Sequence, residues 1–245
     1  MKILLAPSET KISGGNEAFN INSLLFTSLT SSRIKLLHTY INILQKGDMQ
    51  LLSKMFGLKK ESEIEKYTKD IIYEPTMKAI QRYSGVAFDY LEYNSLDADA
   101  QEYIDSSVIL FSNLFGPIRA RDAIPEYRLK QGQSVGDIKV EKFYNQLSAE
   151  LLEEYLESEE ILDLRAGFYN KFYKPSRAYT TLKFIKDGKV VSHWAKAYRG
   201  IVLRQLALHT IETLDEFIKL PIENLSLYEI IQKKHHQEII YTIEY

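Results

Sequence analysis

Lys196, Arg199 and Arg204 fall within one stretch, Lys189 to Ala207, KVVSHWAKAYRGIVLRQLA, which reads as a strand, Lys189–Trp194, running into a helix from about Ala195. On a helical wheel Lys196, Arg199, Gly200, Leu203 and Ala207 share one side, with Arg204 at its shoulder. Ile201, Val202, Leu206 and Leu208 leave the rest of the surface apolar, the pattern of a buried helix. Three cations on such a helix are costly unless something negative meets them. The chemistry implied is anion binding: the helix forms one wall of a site whose other walls come from elsewhere in the chain. The alternative is that these cations pair with the chain's own carboxylates or snorkel outward.

Further groups suited to that chemistry follow buried strands. Lys2–Ala6 reads as a strand broken by Pro7, leading into Ser8-Glu9-Thr10-Lys11 and the loop Ser13-Gly14-Gly15-Asn16. A strand ending in proline, hydroxyl residues and glycines is a place where a sheet holds a functional loop rigidly. The loop lacks the glycine–lysine spacing of a P-loop. Ser107–Phe111 reads as an interior strand, followed by an irregular segment carrying Arg119, Arg121 and Arg128 around Pro125. Arginines placed there suit bidentate contacts to oxyanions, or tie the loop down through Asp122 and Glu126. A third strand, Glu160–Leu164, empties into Arg165 to Lys171.

The elements that position these groups read in order. Asn22–Leu44 is helical in two pieces joined at Ser31-Ser32. Asp48–Tyr67 gives helix, a tight turn at Phe56-Gly57-Leu58-Lys59, and a second helix near Ser62. That layout resembles a helix–hairpin–helix, whose turn amides and lysines contact a nucleic-acid backbone; Gly57, Lys59 and Lys60 are its candidate contacts. A plain helical turn accounts for the same residues. Pro75–Tyr83 is helical, Gly85 to Tyr90 a glycine turn into a short apolar piece, and Asp97–Asp105 a helix with Asp97 as N-cap. Glu141–Leu156 is amphipathic, with Phe143, Leu147, Leu151, Leu152 and Tyr155 inward. Thr180–Ile185 and Lys189–Trp194 form a hairpin at Asp187-Gly188. Ile211–Leu220 is a helix stopped by Pro221, and Glu238–Tyr245 alternates like an edge or closing strand. With no repeat, linker or low-complexity tract, residues 1–245 read as one domain.

Composition sets the outer limits. The 31 basic and 33 acidic residues nearly balance, and 45% of the 245 residues are apolar, as in an ordinary globular protein. With no cysteine, disulfides, thiolate zinc sites, iron–sulfur clusters and a cysteine nucleophile are excluded. A short strand before Pro7 in place of a signal peptide, with no apolar run of membrane-spanning length, gives the expectation of a cytoplasmic protein without membrane contact. The near-neutral total hides an asymmetry. Between Arg165 and Arg204 there are ten Lys or Arg against one acid, Asp187, while Ser148 to Leu164 holds seven acids and no cation. One basic face follows, suited to phosphate, nucleotide or nucleic acid, unless the run is simply solvated.

Four blocks taken together resemble the bacterial YaaA family of peroxide-stress proteins. They are Ala6-Pro7-Ser8-Glu9-Thr10-Lys11 after the first strand, Phe115-Gly116-Pro117-Ile118-Arg119 running to Pro125-Glu126-Tyr127-Arg128-Leu129, Leu162-Asp163-Leu164 with Tyr169 and Lys171, and Trp194-Ala195-Lys196-Ala197-Tyr198-Arg199-Gly200. The resemblance spans nearly the whole chain. It implies an α+β fold in a single domain, a mixed β-sheet core flanked by helices, with a positively charged cleft and a helix–hairpin–helix element at 48–67. It further implies DNA binding and a role in limiting hydrogen peroxide damage linked to lower free iron. The family's motif positions fall on Ser8, Arg119, Tyr127, Arg128, Tyr169, Lys171, Lys196, Arg199 and Gly200. Many members carry Ala-Lys after the proline where this chain has Ser8-Glu9, and Lys11 stands in as the cation.

Two functions are thus expected from one cleft. The first is non-enzymatic binding of DNA, single- or double-stranded and sequence-tolerant, through Ser8, Lys11, Arg119, Arg121, Tyr127, Arg128, Lys171, Lys196, Arg199 and Arg204. The second is an enzyme acting on a phosphorylated or nucleotide-like small molecule, with Glu9, Tyr169 and Lys171 as catalytic candidates. No cofactor is expected. A metal site is disfavoured: the five histidines are scattered, no Glu-x-x-His pair exists, and adjacent His235-His236 do not share a face.

Overall fold

β1 (Lys2–Leu5) is an interior strand, and its residues Ile3 and Leu4 are fully buried. A strand covered on both faces needs this continuous apolar run. The computed structural model describes residues 1–244, the side chains of Ser192 and His193 excepted. The other strands of its sheet are β2 (Val108–Ser112), β3 (Gly116–Arg119), β4 (Ile161–Asp163), β5 (Tyr179–Lys186), β6 (Lys189–Val190), β7 (Leu225–Lys233) and β8 (His236–Ile243). Their order is β7-β8-β5-β4-β1-β2-β3, with β6 paired onto β5. β1 runs parallel to both neighbours, with Ile3 opposite Val108 on one side and Leu162 on the other. β4, β5 and β8 continue the parallel series, and antiparallel β3 and β7 close the two edges. The sheet is mixed and the fold is α+β.

This order puts a switch point between β1 and β4. The chain leaves β1 for β2 on one side, and leaves β4 for β5 on the other. The connections therefore diverge, and a crevice opens over the carboxyl ends of β1 and β4, where such sheets hold ligands.

Helices cover the sheet: α1 (Thr30–Lys46), α2 (Met49–Phe56), α3 (Val86–Leu91), α4 (Ala98–Ser107), α5 (Val140–Tyr155), α6 (Ser192–Leu208) and α7 (Leu214–Lys219). Their ends are fixed by local chemistry. Asp97 accepts from the Ala100 amide at 2.9 Å, and Thr213 and Glu216 form a reciprocal capping box. The hairpin at Asp187-Gly188 has φ of +50° and +71°, the left-handed pair that a two-residue turn requires.

Several expectations need correction. α6 starts at Ser192, so Trp194 lies on the helix; pairing on β5 ends at Val190, and an extended Val191 turns the chain inward. The segment before α1 is two short 3-10 turns with Phe26 at φ +61°, and Ser31-Ser32 lie inside the helix. Thr76–Lys78 is a strand, because it pairs with Ala123–Pro125, leaving helix only over Ala79–Arg82. The glycine turn at Gly85 opens a helix, and Gly116–Arg119 is an edge strand rather than irregular chain. α5 buries Val140, Tyr144, Ser148 and Leu152, while Tyr155 is exposed: the inward stripe is rotated from the expected one. The C-terminal strand is interior, because the unforeseen β7 takes the edge; Tyr245 lies outside the described residues. Several tyrosines are fully buried, among them Tyr40, Tyr83, Tyr127 and Tyr144.

Candidate functional site

α6 is held against α3 at unusually short range. A Cβ on Gly200 would sit 2.9 Å from the Ala87 carbonyl carbon and 3.1 Å from the Leu91 amide nitrogen, and closer still to the Ala87 oxygen. Real Cβ atoms do not approach that closely, so the crossing requires glycine. Four residues further on, the Arg204 guanidinium donates to the carbonyls of Leu91 and Glu92 at 2.9 and 3.2 Å, closing the carboxyl end of α3. The amino end of α3, Gly85 to Phe88, is thereby fixed beside Lys196 and Arg199.

The crevice over β1 and β4 is a cleft of about 410 Å³. Its walls are the chain after β1 from Leu5 to Thr10, the start of α3, Arg128 with Gln131, Leu164 with Ala166 and Tyr169, and Lys196 with Arg199. Five segments distant in sequence meet there. Lys196 is exposed and Arg199 half-buried, and neither makes a hydrogen bond or ion pair among the described residues. Burial pulls the Arg199 pKa down against the opposing attraction of Asp163. Asp163 is engaged elsewhere: Arg165 holds both its oxygens at 2.8 and 2.7 Å. Two neighbouring cations thus line the cleft with no ion-pair partner among the described residues.

The opposite wall is polar and braced by hydrogen bonds of its own. The Glu9 carboxylate accepts from Arg128 Nη2 at 3.3 Å and from the Gln131 amide at 3.1 Å. Arg128 also donates to the carbonyls of Glu9 and Phe56 at 3.0 and 3.1 Å, so its guanidinium is largely committed to the frame. The Ser8 and Thr10 hydroxyls lie 3.0 Å apart, and Thr10 donates to the Ser84 carbonyl at 2.9 Å. Gly85, at φ +108°, keeps the space beside both hydroxyls open. Behind this wall Lys11 Nζ sits 3.9 Å from the Tyr127 ring centre and donates to the Ser8 carbonyl at 3.2 Å. Burial, and then Arg128, hold its pKa well below the ordinary lysine value.

The sequence-derived residues therefore divide. Ser8, Glu9, Arg128, Tyr169, Lys196 and Arg199 line the cleft, with Lys11 packed beside it. Tyr127 is buried and bonds to the hydroxyls of Ser112 and Tyr83 at 2.7 and 2.9 Å. Tyr169 aims its hydroxyl at Asn113, 3.3 Å away, and burial raises its pKa. Arg119 pairs with Asp122 at 2.7 Å and donates to the Ser23 carbonyl, away from the cleft. Arg121 is exposed on the turn after β3, and Lys171 lies over the Phe168 ring at 4.9 Å. Arg204 caps α3. At the 57–60 turn Gly57 makes room for the Lys130 side chain, and Lys59 and Lys60 are exposed. Gln131 and the Gly85–Phe88 wall were not foreseen: a backbone amide leaves no sequence signal, while Gly85 before an apolar run was a faint one. Among the described residues no three His, Cys, Asp or Glu side chains group to hold a metal, and no helix is long and apolar enough to cross a membrane.

A family model described as peroxide stress protein YaaA matches residues 1–230. An uncharacterized protein of Campylobacter jejuni is 44% identical over 244 residues, covering 99% of each chain. A UPF0246 protein of Corynebacterium glutamicum is 31% identical over 98% of both chains, and one of Fusobacterium nucleatum is 27% identical over 93% of both.

Proposed function

The chain belongs to the YaaA family of peroxide-stress proteins, and we propose that it serves that stress response by binding a phosphate-bearing partner, DNA foremost, in the cleft between β1 and β4. The observation that carries this reading is the unpaired couple Lys196 and Arg199, held three positions apart on a helix whose third cation is already satisfied. Phosphate oxygens supply what these two lack. Seating cations on a phosphate backbone displaces its condensed counterions. Ferrous iron held there would be displaced too, and peroxide would meet less iron beside the DNA. The turn at 57–60 adds a second, weaker contact of the hairpin kind through Lys59 and Lys60, although Lys60 already has Glu63 at 3.8 Å.

Fluorescence anisotropy with labelled single-stranded and duplex DNA over a salt series tests this. Two cations on phosphates give a slope of log K against log salt of about −1.4 to −1.8. Lys196→Ala and Arg199→Ala should each weaken binding and flatten the slope. Salt-independent binding, or variants that bind like the parent, would remove the reading.

One observation favours a second reading. A cleft of about 410 Å³ walled by five segments has the size of a small-molecule site. An enzyme acting on a phosphorylated small molecule would clamp the anion with Lys196 and Arg199 and use Glu9, aligned by Arg128 and the Gln131 amide, as acid or base. Phosphate release from sugar phosphates and nucleotides that is absent in Glu9→Gln would establish it; none in the parent would dismiss it.

A further inference from the structure

We infer that the cleft takes one unstacked nucleotide unit, its phosphate on Lys196 and Arg199 and its base against the apolar lining. The inference rests on the phosphate reading above and narrows it. Apart from the two cations and the Glu9 wall, the lining is mostly apolar, with Leu5, Pro7, Val86, Phe88 and Leu164 contributing. A bare phosphate would leave those surfaces in contact with water. A duplex backbone, polar along its length, would set charge against them. A hollow of about 410 Å³ cannot admit a duplex, but one nucleotide rotated out of its stack fits such a pocket. A nucleotide joins the two chemistries the walls require: an anionic phosphate and a flat ring system with an apolar face.

The Glu9 carboxylate completes the match. Each oxygen accepts one donor, from Arg128 and from the Gln131 amide, and carboxylate oxygens have about four acceptor sites in all. Acceptor capacity therefore remains for an exocyclic amino group, which favours adenine, cytosine or guanine over thymine or uracil. Ser8 and Thr10 supply hydroxyls on the same wall, within reach of sugar oxygens.

Two sources share this chemistry, a free nucleotide and a nucleotide of a single strand. The test is calorimetric titration of the full chain with AMP, ribose 5-phosphate and inorganic phosphate, followed by competition with short strands. AMP should bind about ten-fold or more tightly than ribose 5-phosphate, which shares its sugar and phosphate but lacks the base. Arg199→Ala should weaken both ligands by the same factor. Equal binding of AMP and ribose 5-phosphate overturns the inference while leaving phosphate binding intact. Failure of all three ligands and of DNA removes both. An oligodeoxyadenosine that outcompetes AMP, where an abasic strand of equal length does not, assigns the nucleotide to a nucleic-acid strand. AMP binding that the same oligomer fails to displace assigns it to a free nucleotide. Preference for an intact duplex over the single strand and AMP alike contradicts the inference.

Discussion

Replacing Gly200 with alanine tests the crossing of α3 and α6 that builds the cleft. Two opposed effects set the sign. Alanine inside a helix is better than glycine by about 1 kcal/mol. Against this, the new methyl would sit 2.9 Å from the Ala87 carbonyl carbon and 3.1 Å from the Leu91 nitrogen, with the Ala87 oxygen nearer. Every obstructing atom is backbone, so no rotamer change relieves the contact and one helix must shift. Overpacking of this kind costs about 1–3 kcal/mol, and the all-backbone obstruction argues for the upper end. The net loss is then about 2 kcal/mol, or roughly 4–8 °C in melting temperature for a chain of this size. Displacing α3 also moves Gly85 to Phe88 off the cleft, so ligand affinity should fall with stability. Circular dichroism melts of parent and Gly200→Ala read the first effect, and titration with AMP or labelled DNA reads the second. A melting temperature unchanged, or raised by about 2–4 °C as propensity alone would give, would refute the argument.

Other perturbations separate scaffold from site. Arg204→Ala removes donors from the Leu91 and Glu92 carbonyls and should cost about 1–2 kcal/mol in urea unfolding while leaving ligand affinity near the parent value. An affinity loss as large as that of Arg199→Ala would place Arg204 in the site instead. Asp122→Ala should cost about 3 kcal/mol or more, because its buried carboxylate accepts from the Leu25 amide, the Arg119 amide and the Arg119 side chain at 2.8, 2.9 and 2.7 Å; a loss below about 1 kcal/mol would contradict its role as a hub. The lowered pKa of Lys11 sets a pH dependence. Below its folded pKa both states hold the proton. Between that value and about 10.4 only the unfolded chain does, so stability rises with pH. Urea midpoints of the parent should gain on Lys11→Met as pH climbs towards about 10, and a constant difference would refute the shift. Above that, burial raises the phenols of Tyr40, Tyr83, Tyr127 and Tyr144, so they ionise only when the chain unfolds. Stability should then fall, and tyrosinate absorbance at 295 nm should appear together with loss of helix signal.

The sequence made legible what local pattern controls. Asp187-Gly188 announced its turn, Asp97 its cap, and the apolar run of β1 its burial, because each depends on neighbours in the chain. The division among the cations of α6 was not legible. Arg204 differs from Arg199 only in what lies opposite, and the carbonyls it meets belong to a helix ending more than a hundred positions earlier. For Arg119 and Arg128 the sequence leaves two roles open, oxyanion contact or a tie through Asp122 and Glu126: Arg119 does pair with the nearby Asp122, whereas Arg128 takes the Glu9 carboxylate and the carbonyls of Glu9 and Phe56, partners that only folding brings to it. The edge strand β7 was overlooked for a related reason: its exposed Leu227, Tyr228 and Ile230 blur the alternation that marks a half-buried strand. Loops after β1, β2 and β4 were recognised as strand ends, but their convergence follows from strand order, which local pattern does not encode.

A crystal structure of the protein soaked with a nucleoside monophosphate tests the central claim most directly. The account places the phosphorus between the Arg199 guanidinium and the Lys196 ammonium, at the carboxyl ends of β1 and β4. Phosphate density seated at Lys59 and Lys60, or an Arg199 side chain turned away from an occupied cleft, would contradict it.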